Sequence, residues 1–313
     1  MPNITLLDIA KLNGNDAVAG LVEESISAAP EVGLFPVRTV SGTGFKTLVR
    51  TGLPTVDFIA ASQGIPGSKS TFDNKHFDCS VLGGRIEVWK TVLDAPENGN
   101  QADIKTVESM GVMEAAIRKI GKQIFYGKTA LGSANGFPGL VSFVDSGMIY
   151  DATGSTVDTG SSVYFVKFGP KDVSLVMGKN ATMELSEFRV ESLSDADGNK
   201  GPGEVADLAS WIGLQQASKH SVVRIKNLTA QAGKGLTDVL IANALELFPA
   251  GFTPDVIFMS RRSRQQLRAD RSSRQTNSTG KGDGGSTYTP TPTDFEGIPI
   301  IATDSILNTE PIA

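Results

Sequence analysis

The longest run of helical periodicity in the chain lies between residues 102 and 126, and it limits what the rest of the chain can fold into. Apolar side chains recur there every three or four residues, which predicts a stripe along one α-helix. The stripe contains Ile104, Val107, Met110, Met113, Ile117, Ile120 and Ile124. About 25 residues at a rise of about 1.5 Å predict a rod of roughly 37 Å. Because this rod separates a strand-rich segment from a large mixed segment, it predicts a spine that carries two other bodies.

Size and composition predict a globular chain with more than one subdomain. The 313 residues exceed the usual size of a single core. The 40% hydrophobic and 20% charged residues are typical of a globular protein. No run approaches the roughly 18 apolar residues of a membrane span, and the first residues lack a signal-peptide pattern. We therefore expect a protein that is made in the cytoplasm and has no membrane partner.

Residues 1–44 predict an N-terminal arm. Two short helices are expected between residues 5 and 28, and Pro30 stops the second one. Their apolar face is too small to stand alone. The arm is therefore expected to pack on another element or another subunit.

Residues 45–92 predict a long two-stranded excursion. The segments before residue 60 and after residue 75 are rich in β-branched and aromatic residues, which favour strands. The segment between them is rich in Gly, Ser and Lys, which is typical of a polar, exposed loop. An isolated ribbon is marginally stable in water, so we expect a neighbour to support it.

Residues 93–134 hold the predicted spine, and residues 135–313 predict a mixed domain. Turn signals at residues 195–203 separate two groups of elements. Helices are expected at 236–248, capped by Thr237 or Asp238, and at 261–271, capped by Ser260. The predicted strands cover residues 163–168, 173–178, 181–190, 220–228, 255–260 and the start of 297–307.

The residue types that most catalytic and metal sites use are scarce. Cys79 is the single cysteine, which excludes an internal disulfide framework and a multi-cysteine zinc site. His76 and His220 are the two histidines, and no G-x-S-x-G motif accompanies them. We therefore predict no catalytic residue, no cofactor and no metal.

Two loops match ligand-binding motifs only in part. Residues 195–199 alternate oxygen ligands like a calcium loop, but Lys200 and Ala206 occupy positions that need Gly and Glu. Residues 278–285 contain a Gly-Lys pair without the spacing of a phosphate-binding loop. A β-turn and a flexible loop are the favoured interpretations.

Arginines are concentrated in the last predicted helix. They are Arg261, Arg262, Arg264, Arg268, Arg271 and Arg274. Arg264, Arg268 and Arg271 share one stripe, and arginine can bind phosphate or carboxylate. The net charge of −5 argues against nucleic-acid binding over the whole surface. A solvated face or inter-subunit ion pairs are favoured, and contact with DNA is the alternative.

The order of the elements resembles the major capsid proteins of tailed bacteriophages with the Hong Kong 97-like fold. Blocks in the same order strengthen the resemblance. They are LNGNDAVAGLVEE, PVRTVSGTGFKTLVRTGLPTVDFI, GFPGLVSFV, SSVYFVKFGPKDVSLVMGK, WIGLQQASKHSVVRIKNL, DVIFMSRRSRQQLRADR and FEGIPIIATDSILNTE.

The resemblance implies an α+β fold divided as above. Residues 1–44 would be the arm, 45–92 the extended β loop, 93–134 the peripheral domain with the spine helix, and 135–313 the axial domain plus returning peripheral strands. It also implies a virion protein whose copies self-assemble, as hexamers and pentamers, into an icosahedral shell around double-stranded DNA. Separate scaffolding, portal and decoration proteins are the other implied partners, and weak contact with DNA is expected. An arm beginning near Met1 implies a separate scaffolding protein or prior removal of an extension.

The resemblance places the tip of the extended loop on a neighbouring subunit. The tip residues implied are Gly64, Lys69, Asp73 and Lys75, and the two lysines are expected to be solvated and not cross-linked. An encapsulin-type nanocompartment shell is one alternative. A DNA-binding protein that uses the Arg261–Arg274 helix is another, and an enzyme such as a hydrolase is a third.

Overall fold

The computed structural model of the protein describes residues 29–94, 101–179, 183–195, 197–278 and 290–312. The predicted arm helices and most of the loop at 278–285 lie outside these residues. The α-helices are α1 (Glu31–Leu34), α2 (Lys90–Leu93), α3 (Gln101–Tyr126), α4 (Leu140–Phe143), α5 (Asp238–Glu246) and α6 (Arg261–Ser278). The strands are β1 (Val37–Thr39), β2 (Gly44–Gly52), β3 (Thr71–Asp78), β4 (Ser80–Trp89), β5 (Ile149–Asp151), β6 (Ser161–Val166), β7 (Val173–Met177), β8 (Arg189–Ser194), β9 (Lys200–Gln216), β10 (Val222–Leu228), β11 (Val256–Met259), β12 (Asp294–Phe295) and β13 (Ile298–Ala302).

The predicted spine helix is confirmed as α3. Its apolar stripe differs from the prediction in the middle, because Met110 is 64% exposed while Ile104 and Ile124 are buried. Each residue turns the helix by about 100°, so two steps of three residues carry Met110 about 120° around the axis from Ile104. Val112 faces the sheet instead and packs beside Gly84.

The spine packs on a five-stranded sheet whose centre is β9. This strand pairs with β4, β7 and β8, and β1 adds to β7 in parallel. The strand predicted at 181–190 was wrong, since β8 begins at Arg189. The long strand β9 was not predicted. The glycines at the start of β9 made this segment look like a turn in the sequence. A Cβ on Gly203 would lie 2.2 Å from the side chain of Leu193, and one on Gly201 would lie 2.7 Å from that of Trp89. These positions must be glycine because neighbouring side chains cover them.

The predicted excursion is shorter than residues 45–92. Strands β2 and β3 form a two-stranded ribbon that runs from Gly44 opposite Asp78 to Gly52 opposite Thr71. The chain then leaves the ribbon, and β4 pairs with β9 along all ten of its residues. The ribbon therefore projects from the edge of the five-stranded sheet.

A six-stranded sheet forms the second body, in the order β12-β13-β11-β6-β10-β5. Every residue of β6 and of β11 is buried, because helices and loops cover both faces of the sheet. Tyr164 and Phe258 face one core, while Phe165 and Met259 face the other, which also contains Leu267. The continuous apolar runs that predicted β6 and β11 reflect this two-sided burial.

The C-terminal half of the spine joins the two sheets. Ile124 and Phe125 are fully buried in the same core as Tyr164 of the six-stranded sheet and Leu214 of the five-stranded sheet. Burial of each such side chain contributes about 1.5–3 kcal/mol, so this half of the rod fixes the two sheets together. Among the described residues, no helix is long and apolar enough to cross a bilayer.

Candidate assembly interface

The ribbon, β2 with β3, is anchored at its base and exposed along its length. Phe77 is buried there, with its ring centroid 5.4 Å from that of Phe45 and 5.8 Å from that of Phe143. Further out, Leu48 and Phe72 are exposed. A ribbon of two strands gains little stability by itself, so most of this surface suits contact with another body.

The ribbon tip, residues 53–70, has no regular secondary structure. Its apolar side chains face outward: Phe58 is fully exposed, and Val56 and Ile65 are 90% and 86% exposed. The strand predicted to run up to residue 59 ends at Gly52, and the predicted polar tip is corrected to a longer tip that also carries an apolar surface. A cluster of exposed large apolar side chains is typical of a surface that another protein covers.

The four predicted tip residues are not all in the tip. Gly64 and Lys69 lie there, and Gly64 has nothing within 4 Å of the position of a Cβ. Asp73 and Lys75 lie in β3, where they pair with Val49 and Thr47. The strand begins at Thr71, so the sequence placed the end of the polar loop about five residues too late.

The residues considered for chemistry do not converge on a site. His76 pairs with Asp78 at 3.1 Å on the ribbon surface, whereas Cys79 is buried and donates weakly to the carbonyl of Val176. His220 lies apart, with its ring 6.4 Å from that of Phe252. In the described part of the chain, no group of three His, Cys, Asp or Glu side chains is arranged for a metal ion. The Asp195 loop is a turn, as predicted, because its carboxylate accepts from the backbone N–H groups of Asp197 and Asn199.

Three of the six arginines predicted as a basic surface serve the fold. Arg261 binds the carboxylate of Asp304, and Arg271 binds that of Asp238 at 2.9 Å. Arg262 donates to the backbone carbonyls of Thr159 and Leu228. These partners lie within the same chain, which the prediction of solvated or inter-subunit arginines did not include. Arg264 and Arg268, the other two residues of the predicted stripe, are half-buried.

A buried polar cluster, which we call the C-terminal knot, ties three segments together. Glu310 accepts from the hydroxyls of Tyr126 and Ser162 at 2.6 Å each and from the guanidinium of Arg224 at 3.1 Å. The Tyr126 hydroxyl in turn accepts from the backbone N–H of Leu307 at 2.7 Å. Burial and the Glu310 carboxylate raise the pKa of Tyr126, which therefore stays protonated and donates. No sequence pattern indicated this cluster, because Glu310 is more than 80 residues away from each of Tyr126, Ser162 and Arg224.

A second buried cluster, the glycine turn, closes the end of the spine. Gln123 donates to the carbonyls of Ser133 and Phe137 and accepts from the N–H of Ser133. Gly127 has a φ of +56°, and a Cβ there would lie 1.9 Å from the backbone nitrogen of Gly139. The turn therefore requires glycine at Gly127 and also at Gly139, where a Cβ would lie 2.4 Å from the nitrogen of Gly127.

The described part of the predicted arm, residues 29–44, docks on the spine through a buried carboxyl. Glu31 is fully buried, and a Cβ on Gly121 would lie 2.3 Å from its Oε1 atom. Among the described residues neither oxygen of Glu31 has a hydrogen-bond partner of normal geometry, although the hydroxyls of Ser305 and Thr303 approach it. Burial raises the pKa of Glu31 above its usual value of about 4.5, the hydroxyls offset this only in part, and Asp304 adds to the rise.

The substitution Glu31→Gln is expected to stabilise the subunit at pH 7, because it removes a buried charge. The raised pKa means that the folded chain binds this proton more tightly than the unfolded chain. The stability that the proton contributes is complete below about pH 4.5 and is lost as the pH rises through the folded pKa. Urea unfolding of the unassembled subunit between pH 4 and pH 8 measures the difference, which should shrink on acidification. A variant that is less stable than the wild type at pH 7 would contradict this account.

Comparison with known proteins identifies the family. A family model described as major capsid protein GP7 matches residues 35–312. The chain belongs to this family of major capsid proteins. It is a shell-forming subunit of a virion, and this membership implies a structural role and not an enzymatic one. No curated protein sequence matches the capsid protein.

Solved structures agree with the predicted fold. A chain of bacteriophage Epsilon15, from a near-atomic cryo-EM structure, is similar with a TM-score of 0.75 and 18% identity, over 99% of this chain and 97% of that chain. The predicted α+β, Hong Kong 97-like fold of the capsid protein is confirmed. A chain of Mycobacterium phage Bobi has a TM-score of 0.44 and 12% identity over 72% of this chain and 98% of its own. The SrpI encapsulin of Synechococcus elongatus has a TM-score of 0.46 and 9% identity over 74% and 98%. Neither of these two weaker likenesses decides between a phage shell and a nanocompartment.

Proposed function

We propose that copies of the capsid protein assemble, as hexamers and pentamers, into an icosahedral shell that encloses the double-stranded DNA of a tailed phage. The observation that carries this proposal is the ribbon. It projects from the peripheral sheet with exposed Phe58, Val56 and Ile65 at its tip, and a second copy would cover these side chains. Scaffolding, portal and decoration proteins are proposed partners, and the shell would form in the cytoplasm of the bacterial host.

The division of the chain follows from the same proposal. The five-stranded sheet and the spine would form the peripheral domain, with the ribbon as the extended loop. The six-stranded sheet with α5 and α6 would form the axial domain. The arm predicted at residues 1–44 would be limited to residues 1–28, because β1 pairs with β7 of its own chain. Lys69 would remain solvated at the tip.

Contact with DNA is proposed to be weak and local. Of the arginines in α6, Arg261 and Arg271 neutralise carboxylates of their own chain, so they contribute little to phosphate binding. Arg264 is the residue of the stripe proposed to face DNA or a neighbour. The net charge of −5 agrees with a container that encloses DNA without binding it tightly.

Electron microscopy of the purified chain, expressed alone and with its assembly partners, tests the proposal. Closed shells are expected from the wild type. Replacement of residues 53–70 by Asn-Gly, which closes the ribbon with a tight turn, is expected to lower the yield of shells at least tenfold. The variant should keep the melting temperature of the unassembled subunit within a few degrees, because residues 53–69 are all exposed to solvent. A wild type that stays monomeric, or full shell yield from the shortened variant, would contradict the proposal.

A further inference from the structure

Two prolines bracket the segment that joins the predicted arm to the first strand, and we call this segment, residues 30–36, the latch. Between Pro30 and Pro36 the chain forms the single turn of α1. The residue before a proline avoids the helical conformation, so Phe35 is extended and α1 cannot lengthen towards β1. After Pro36, β1 pairs with β7 and holds the chain on the five-stranded sheet. A movement of the latch can therefore end at Pro36.

Two buried side chains hold the latch on the body of the subunit. Phe35 is 3% exposed, and its ring centroid lies 5.0 Å from that of Phe168 and 5.8 Å from that of Phe258. Glu31, one turn earlier, is fully buried on the spine. One anchor is apolar and the other is an acid, so only the Glu31 anchor depends on pH.

Glycine in the spine makes room for the carboxyl of Glu31. A Cβ on Gly121 would lie 2.3 Å from the Oε1 atom of Glu31 and 2.5 Å from the Oγ atom of Ser305, so both oxygens lie over the same glycine. No described residue forms a hydrogen bond of normal geometry with this carboxyl. Burial of an unpaired charge costs far more than burial of a neutral polar group, so this site accepts a protonated carboxyl more readily than a carboxylate.

The C-terminal segment places a second negative charge beside Glu31. Asp304 repels a carboxylate at Glu31, and Asp304 is itself bound by Arg261. The other two residues of this segment that approach Glu31 are Thr303 and Ser305, which carry no charge. This side of the site therefore opposes ionisation.

The charged side chains of the spine near Gly121 are directed to other partners or other faces. Arg118, one turn before Gly121, pairs with Glu114. Lys122 follows Gly121, and one residue turns a helix by about 100°, so Lys122 lies on a different face. The charged group that acts on Glu31 is therefore Asp304.

We propose that the latch is a hinge operated by one proton: it closes on Gly121 when Glu31 is protonated, and ionisation of Glu31 shifts it towards an open state in which β1 stays on the sheet. The opening goes beyond the proposed function, because it takes place in a single subunit. Its consequence for assembly rests on the proposed function. A closed latch starts the arm on its own subunit, whereas an open latch lets the arm reach a neighbouring subunit.

The direction of the pH dependence follows from burial. Burial raises the pKa of Glu31 in the closed latch, whereas opening exposes the carboxyl and restores a pKa near 4.5. The ratio of open to closed latch is therefore lowest below about pH 4.5. It rises by up to about tenfold per pH unit above that value and becomes constant above the pKa of the closed state.

Hydrogen exchange of the unassembled subunit measures the opening. The N–H of Phe35 donates to the carbonyl of Glu31 at 3.1 Å, and a single helical turn does not persist away from the body. After correction for the intrinsic exchange rate, protection of this N–H should fall at least threefold between pH 5 and pH 8. Protection of the N–H of Ile241, inside α5, should change by less than twofold and so excludes global unfolding.

Two variants assign the pH dependence to one carboxyl. Glu31→Gln should keep the protection of the Phe35 N–H at its pH 5 level throughout, because the titrating group is gone. Glu246→Gln, at an exposed carboxyl, is the matched control and should behave like the wild type. The same pH dependence in the wild type and in Glu31→Gln, or a wild type without any, would overturn the proposal.

A methyl group on the spine tests the docking position without changing a charge. Gly121→Ala should push the carboxyl of Glu31 out of its site and lower the protection of the Phe35 N–H at pH 5 at least tenfold. Gly111→Ala, the same replacement where the Cβ meets open space, should leave that protection unchanged. Wild-type protection in Gly121→Ala would overturn the latch and leave the proposed function standing. A wild type that forms no shells would overturn the proposed function and leave the hinge in the single subunit standing.

Discussion

The substitution Glu310→Ala is expected to lower the free energy of unfolding of the unassembled subunit by about 3–5 kcal/mol. Loss of the carboxylate would leave the Arg224 guanidinium, whose side chain is 14% exposed, without its counter-charge. It would also remove the acceptor for the hydroxyls of Tyr126 and Ser162. Breaking one side of a buried ion pair costs far more than the pair contributes, because the remaining charge stays desolvated.

Urea unfolding of the unassembled subunit measures this loss. Glu246→Ala provides the control, since Glu246 is exposed at the end of α5, and it should change stability by less than about 0.5 kcal/mol. Limited proteolysis should also cut the C-terminal segment faster in the Glu310→Ala variant, because Glu310 pairs with Gly160 and closes that segment on the sheet. A Glu310→Ala subunit as stable as the control would show that the C-terminal knot does not hold the segment.

Replacement by alanine should change the stability of the subunit in opposite directions at two glycines, one inside the spine and one just after it. Gly127→Ala is expected to destabilise the subunit by about 3 kcal/mol or more, since a left-handed residue other than glycine costs about 1–2 kcal/mol and the new Cβ overlaps backbone. The overlap is with the nitrogen of Gly139, at 1.9 Å. Gly111→Ala should stabilise the subunit by about 0.5–1 kcal/mol, because Gly111 is inside the helix with open space at its Cβ.

Thermal unfolding of the two variants tests whether the turn at Gly127 is rigid. The glycine turn connects the spine to the second sheet, so a displaced turn should also reduce the yield of shells from Gly127→Ala. Gly111→Ala should assemble like the wild type. If Gly127→Ala lowers the free energy of unfolding by no more than about 1 kcal/mol, the turn relaxes around the methyl group. The prediction of a rigid turn would then be wrong.

Elements with strong local signals were predictable. The spine was predicted to within one residue at its start, and α5 begins after Thr237, whose hydroxyl accepts from the N–H of Leu240 as a cap. Buried strands with continuous apolar runs, such as β6 and β11, were also found. In these segments propensity, periodicity and capping agree, so few alternative structures compete.

Elements whose structure depends on contacts with residues far away in the sequence were not predictable. β9 begins with Lys200, Gly201, Pro202 and Gly203, which indicate a turn, yet the side chains of Trp89 and Leu193 require glycine there. The sequence predicted that the arginines of α6 form a basic surface, but Asp304 and Asp238 form ion pairs with two of them. No spacing within the sequence reveals a partner that the fold brings from 30 or 40 residues away.

The sequence by itself determined the long spine, the strand-rich excursion before it, the scarcity of catalytic groups and the resemblance to a capsid fold. These depend on local periodicity and on the order of the segments. Only the tertiary structure decided that Glu310 holds the spine to the C-terminal segment, that the ribbon tip exposes Phe58, and that Gly121 makes room for the buried carboxyl of Glu31. The physical reason is that burial, pairing of charges and open surface are properties of residues far apart in the chain, and they exist only after the two sheets have packed on the spine.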